Sequence, residues 1–256
     1  MLIDHDSDDP VSLAYFASLR SRVRLLRYSG PFNFGAINNW AVSQLDGSHS
    51  HYLFCNNDIE SIESGWLGRM LELGQRPDVG VVGAKLFYPD RRTIQHAGVV
   101  VACCGVAENL ARFRQTSESE VDTGYVGSLI CNREVSAVTA ACMLVRRDVF
   151  EAIGGFDEAI AVGYGDVDLC LRAGERGYRV LFCAHAVLLH HESFTRGRSP
   201  EDPHPQDSAR FTERWQGLFA TGDRYFNPNL SPYSPNWQVA DPLEFRLDIR
   251  RRVFVR

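Results

Sequence analysis

Lysine is almost missing from this chain of 256 residues: Lys85 stands alone, and every other cationic side chain among the 27 basic residues is arginine. So uneven a choice reads as compositional bias and carries no recognition chemistry. Positive charge is in deficit overall. A formal net charge of −5 argues against nucleic acid as a partner, because phosphate binding needs a basic surface. No apolar run approaches the roughly 20 residues of a membrane-spanning helix, and the N-terminus is acidic where a signal peptide would be basic. There is no CxxC. The seven cysteines are odd in number and sit mostly among apolar neighbours, which fits free thiols of a reducing compartment better than disulfides or a zinc site. A cytoplasmic protein is expected. Neither GxGxxG nor GxxxxGK[ST] occurs, so a dinucleotide fold or a P-loop has no support, and no GxSxG elbow is present. Internal repeats and a dividing linker are also lacking, which leaves one large domain with a substantial core.

What is present alternates. Short apolar runs at 1–3, 23–26, 51–55 and 79–82 read as strands, and helical patterns at 10–20, 34–45 and 64–76 fall between them. Such alternation predicts a largely parallel sheet covered by helices. After Gly83 the regularity breaks. Residues 86–101 suggest irregular strands, 105–133 a surface loop, and 135–145 a strongly β-prone stretch. Helices are expected at 146–153, closed by Gly154-Gly155, and at 167–176, closed by Gly177. Strands at 178–182 and 187–189 lead to His190-His191. Residues 197–207, rich in Pro, Asp and Ser, read as mobile; a helix follows at 208–220, and the next pattern is at 245–255.

Three polar clusters lie at element ends: Asn57-Asp58 with Glu60, Asp166 with Asp168, and His190-His191 with Glu192. An Asp at the end of a buried strand sits where open α/β sheets bind ligands and can hold a hard divalent cation; it can equally sit in an ordinary turn. Asp166 can be a helix N-cap, Asp168 a solvent-facing acid of the first turn, and the histidines ordinary polar residues after a strand. The acids at 4, 6 and 8 fail as a calcium loop, since Asp9 and Tyr15 stand where Gly and Glu are needed. Two carboxylates would also suit a glycosidase, so spacing alone does not choose the reaction.

The motifs taken together resemble those of family 2 glycosyltransferases, particularly bacterial enzymes of O-antigen and cell-surface polysaccharide assembly. Leu2-Ile3-Asp4-His5-Asp6-Ser7-Asp8-Asp9 resembles the second-strand segment of that family, and Phe32-Asn33-Phe34-Gly35-Ala36-Ile37-Asn38-Asn39 its next loop and helix. Asn56-Asn57-Asp58-Ile59-Glu60 is similar to its DXD motif. Gly154-Gly155-Phe156-Asp157-Glu158, with Gly165-Asp166-Val167-Asp168-Leu169-Cys170-Leu171-Arg172, resembles its acceptor-side motifs. His190-His191-Glu192-Ser193 and Asn227-Pro228-Asn229-Leu230-Ser231 resemble late motifs.

The resemblance implies a GT-A fold: a mixed, mostly parallel central sheet flanked by helices, with a smaller acceptor-side β region. The domain would cover 1–231, and 232–256 would form a tail. It implies Mn²⁺ or Mg²⁺ on Asp58 and His190, bridging the phosphates of a dTDP- or UDP-sugar, and Asp166 as the general base of an inverting transfer. Asp4, His5, Asn33, Asn39 and Asn57 would lie on the donor side; Gly155, Phe156, Asp168 and His191 would lie on the acceptor side. Lys85 has no assigned role. The implied acceptor is a glycan or lipid-linked glycan, with membrane-associated assembly partners and a place at the inner face of the plasma membrane. Members of the family begin one strand earlier, with a strand that cradles the nucleotide base, whereas this sequence starts at the second strand. The absence of that first strand implies unpaired edges and an incomplete base pocket. Gly165 stands where the family has Glu, and His5 where it has Asn or Asp. A non-catalytic truncated relative is the alternative reading.

Overall fold

A computed structural model describes residues 1–117, 119–191 and 202–243. The expected segments Glu192-Ser193, 197–201 and 245–255 lie outside them. The chain opens with β1 (Leu2–His5), α1 (Pro10–Leu19) and β2 (Leu25–Tyr28), in which the two strands pair in parallel as a sheet of their own. Asp9 caps α1 by accepting from the Ser12 N–H, and Pro10 occupies the first turn, where its missing donor costs nothing. Next come α2 (Phe34–Ser43), β3 (His51–Cys55), β4 (Ile59–Ser61), α3 (Trp66–Gly74), β5 (Val79–Phe87) and β6 (Ile94–His96). A hairpin, β7 (Val99–Val101) and β8 (Ala107–Asn109), stands apart from the main sheet. The remaining elements are β9 (Arg133–Glu134), β10 (Cys142–Arg146), α4 (Arg147–Ala152), α5 (Gly165–Glu175), β11 (Arg179–His190), α6 (Pro205–Arg214) and α7 (Gln216–Thr221).

The main sheet runs β3-β10-β5-β11-β4, with β6 on β5 and β9 on β11. Strands β5 and β11 are parallel, and β10 is inserted antiparallel between β3 and β5, so β3, β5 and β11 all point one way. The mixed α/β architecture is therefore as expected. Alternation along the strands sorts the core into two layers. Tyr52, Phe54, Val81, Val145, Val180 and Phe182 face the layer that includes Val167 and Leu169 of α5 and Phe211 of α6. Leu144, Val82, Leu86, Leu181 and Leu188 face Met70 and the partly buried Trp66 and Leu71 of α3.

Two strand expectations are corrected. The runs at 178–182 and 187–189 are one strand, β11, whose pairing with β5 shifts register between Cys183 and Val187; the bulge interrupts the pattern without ending the strand. The stretch 135–145 is only partly strand. Its first half crosses over β5 so closely that a Cβ on Gly83 would lie 2.3 Å from the Cβ of Val138. The helix expected at 208–220 begins at Pro205 and breaks at Trp215.

Polar contacts fix the layers. Asp168 has no exposed surface, which corrects its reading as a solvent-facing acid. Its Oδ2 accepts from Arg172 Nε at 2.7 Å, and its Oδ1 accepts from Arg214 at 2.8 Å and from Trp215 Nε1 at 3.0 Å. Asp207 of α6 accepts from three successive backbone N–H groups, those of Ala161, Val162 and Gly163, at 2.9–3.1 Å. Helix α6 is thereby latched to the loop that precedes α5. Removing a charged partner from such a buried pair leaves the other charge uncompensated. Asp168→Ala should therefore cost about 3–5 kcal/mol, read as a lower urea midpoint; a change under about 1 kcal/mol would show that Arg172 and Trp215 find other partners.

Candidate active site

The site is assembled where β3 ends. The Asn56 N–H donates to the Ala141 carbonyl at 2.9 Å, so the chain turns through Asn56-Asn57-Asp58 and re-enters the sheet as β4. Strand β4 pairs antiparallel with the end of β11, with Ile59 opposite His190. The His191 N–H then donates to the Asp58 carbonyl at 2.9 Å. This pairing brings the carboxylate of Asp58 and the ring of His190 together across more than a hundred residues of sequence. His190 Nε2 lies 3.1 Å from Asp58 Oδ1, with side-chain exposures of 10% and 38%. On the other side of the ring, Nδ1 lies 2.7 Å from Gln95 Oε1.

Asp58 Oδ1 is buried, yet it accepts no hydrogen bond of acceptable geometry. An orphaned buried carboxylate oxygen facing a ring nitrogen is costly unless a proton or a cation lies between them. Two ligand atoms on adjacent corners of an octahedral cation with bonds near 2.1 Å stand about 3.0 Å apart, close to the spacing seen. The pair therefore fits a divalent cation. Among the described residues no three His, Cys, Asp or Glu side chains gather around one point, so a cation here would take its other ligands from water or substrate.

Asp166 reaches the same edge by another route. Helix α5 starts at Gly165, capped by Tyr164 in the left-handed region (φ 64°), and Asp166 lies within its first turn; it is not the N-cap. Its Oδ2 accepts from the Ala140 N–H at 2.9 Å and its Oδ1 from the Val167 N–H at 2.8 Å. Burial pushes its carboxyl above the ordinary value of 3.8, against the pull of those donors and the Thr139 hydroxyl. Ala140 and Ala141 are consecutive: one holds Asp166, the other holds Asn56.

A second set of expected residues forms a brace. Asn39 Oδ1 accepts from the Phe156 N–H at 2.9 Å, and its Nδ2 donates to the Phe156 carbonyl at 2.9 Å and to Glu158 at 3.0 Å. Asn33 caps α2 by accepting from the Ala36 N–H and donates to the Glu158 carbonyl. Both ends of the Asn39 amide are thus committed to the 155–158 loop, and Asn33 is engaged at both ends as well. Gly155 has φ 72°, and a Cβ there would meet Asn39 Oδ1 at 2.5 Å. Phe156 is buried in the core, so neither it nor Asp168 presents itself to an acceptor; Arg172 joins them by donating to the Gly155 carbonyl at 2.8 Å.

The remaining residues are more dispersed. His191 pairs with Glu60 at 2.8 Å, and Asn57 is exposed in the turn. Asp4 is buried and accepts from the Ser7 N–H at 3.0 Å, and the Ser7 hydroxyl, ahead of that N–H, holds its carboxyl below the usual range. His5 lies 2.8 Å from the Gly30 carbonyl and beside the rings of Tyr28 and Phe32. Lys85 donates to the Leu129 carbonyl at 3.0 Å, and burial lowers its pKa. Sequence reading missed Gln95 and the Ala140-Ala141 bridge, because both act through pairings that no local pattern announces.

Known proteins that resemble this chain identify its family. Residues 57–217 match the family described as Glycosyltransferase like family 2. The chain is 39% identical over 261 residues to protein y4gI of Sinorhizobium fredii, and 38% identical over 232 residues to the O-antigen biosynthesis protein RfbC of Myxococcus xanthus. Those alignments cover 95% and 90% of this chain but only 28% and 18% of the two relatives. The crystal structure of GalNAc-T7 with UDP, GalNAc and Mn²⁺ superposes with a TM-score of 0.64 at 12% identity, covering 98% of this chain and 48% of that one. That likeness establishes the GT-A fold. The chain belongs to the family 2 glycosyltransferases.

Proposed function

We propose that this domain transfers a hexosyl or deoxyhexosyl group from a dTDP- or UDP-sugar to a hydroxyl of a glycan or lipid-linked glycan. The transfer inverts the anomeric centre and serves cell-surface polysaccharide assembly at the cytoplasmic face of the membrane. The observation that carries the reading is the unbonded buried Oδ1 of Asp58 opposite His190 Nε2, in a chain of this family. The name of the Myxococcus xanthus relative supports the polysaccharide setting, and the Mn²⁺ and UDP named with the GalNAc-T7 structure support the donor chemistry. Among the described residues no helix is long and apolar enough to cross a membrane.

Asp58 and His190 would hold Mn²⁺ or Mg²⁺, which when bound supplies Lewis-acid stabilisation to the departing diphosphate. Asp166 accepts the proton of the acceptor hydroxyl as that oxygen bonds to the anomeric carbon and the bond to the diphosphate oxygen breaks. Each oxygen of Asp166 accepts one backbone N–H, which fixes its orientation and leaves lone pairs for the acceptor. Its raised pKa makes it a stronger base than a solvent-exposed carboxylate.

Mn²⁺ with UDP or dTDP should raise the melting temperature, since ligand at 100 times its Kd adds about 2.7 kcal/mol to stability. Asp58→Ala should abolish that rise and Mn²⁺-dependent donor hydrolysis together. Parent protein that neither hydrolyses nor transfers any donor with Mn²⁺ present would end the proposal. Asp166→Asn should lower kcat by about 10²–10⁴-fold and keep the Mn²⁺-dependent thermal shift. Because protonated Asp166 cannot accept a proton, kcat/KM should fall as pH drops through its raised pKa. The acid limb should therefore lie above the ordinary carboxyl value of 3.8; a limb at or below that value would remove Asp166 from the role of base.

A further inference from the structure

The two ring nitrogens of His190 meet neighbours of different chemistry. Nδ1 lies 2.7 Å from Oε1 of Gln95, and an amide oxygen can only accept. Nε2 lies 3.4 Å from Nδ2 of Asn56, and an amide nitrogen can only donate. Both neighbours therefore ask for the same neutral tautomer, with the proton on Nδ1 and a lone pair on Nε2. Gln95 is 2% exposed and is flanked in β6 by Ile94 and His96, both buried as deeply, so its amide has no path to solvent.

The competing tautomer would undo the site. With its proton on Nε2, His190 would place an N–H beside Asp58 Oδ1, 3.1 Å away, and a ring turned into line would donate to it. That bond would satisfy the orphaned oxygen and consume both ligand atoms. A carboxylate facing an imidazole favours this outcome unless something fixes the proton on the far nitrogen.

We propose that Gln95 is a positioning residue: its Oε1 fixes His190 in the Nδ1–H tautomer and so keeps the Nε2 lone pair and Asp58 Oδ1 open together as ligand atoms for a divalent cation. This rests on the metal-assisted reading above and adds the residue that prevents the site from closing on itself. Sequence reading had no access to it, since Gln95 and His190 meet only through the separate pairings of β6 and β11 with β5.

The test separates the two claims. In metal-free, ¹⁵N-labelled protein, at a pH about two units above the ordinary imidazole value of about 6.5, His190 should carry its proton on Nδ1 alone. Gln95→Leu should move that proton to Nε2 and weaken Mn²⁺ binding, followed by the EPR signal of free Mn²⁺, by about 10–100-fold. Gln95→Glu, which keeps an acceptor facing Nδ1, should retain the parent tautomer and bind Mn²⁺ within a few-fold of the parent. An Nε2–H tautomer in the parent, or undiminished Mn²⁺ affinity in Gln95→Leu, would overturn the role of Gln95. A parent with the Nδ1–H tautomer that binds no Mn²⁺ would instead overturn the metal reading and leave Gln95 nothing to position. Should Gln95→Leu fail to fold, Gln95→Asn withdraws the same acceptor by one methylene and is held to the same outcomes.

Discussion

Two consecutive residues hold the site together. The Ala140 N–H points to Asp166 on one side, and the Ala141 carbonyl takes the Asn56 N–H on the other. Each bond is worth only about 1 kcal/mol net, but the positions they set are not negotiable locally. The segment carrying them crosses β5 at Gly83, where no side chain would fit beneath Val138, and then enters β10 between β3 and β5. Both alanines are buried at the 3–5% level. A bulkier pair would separate the start of α5 from the Asn56-Asn57-Asp58 turn.

The two acids of α5 show how environment divides labour between residues two apart. Asp168 is surrounded by cations and an indole donor, with Arg172, Arg214 and Trp215 all aimed at it. Its charge is compensated, and it serves as a tie between α5, α6 and, through Arg172, the Gly155 loop. Asp166 is held chiefly by neutral backbone donors and forms no ion pair among the described residues. Burial therefore wins and its pKa rises. One acid contributes to stability and the other is a strained charge, the usual mark of a group kept for chemistry.

Much of this was legible in the sequence, and the failures have physical causes. The strand before Asn56 and the helices closed by Gly154-Gly155 and Gly177 follow from apolar runs and turn residues that act locally. Asp58 and His190 were read as strand-end residues because the runs before them stop there. Their meeting depends on the short β4, whose three residues Ile59-Glu60-Ser61 carry no β pattern of their own and pair only because β11 is already in place. The bulge in β11 made one strand look like two. A first-turn acid such as Asp168 can face solvent as far as local sequence goes, and only the docking of α6 puts Arg214 and Trp215 over it.

Family-like motifs therefore divide into two physical kinds, and hydrogen-bonding capacity tells them apart. Asn39, Gly155, Phe156, Asp168 and Arg172 have their polar groups met or their side chains packed within one continuous brace. They decide whether the loop before α5 has its shape. Asp58 and Asp166 differ in having capacity left over, as an oxygen buried without a bond in one case and a charge incompletely compensated in the other. An unsatisfied polar atom at a sheet edge is the narrower signal, because folding alone gives no reason to retain it.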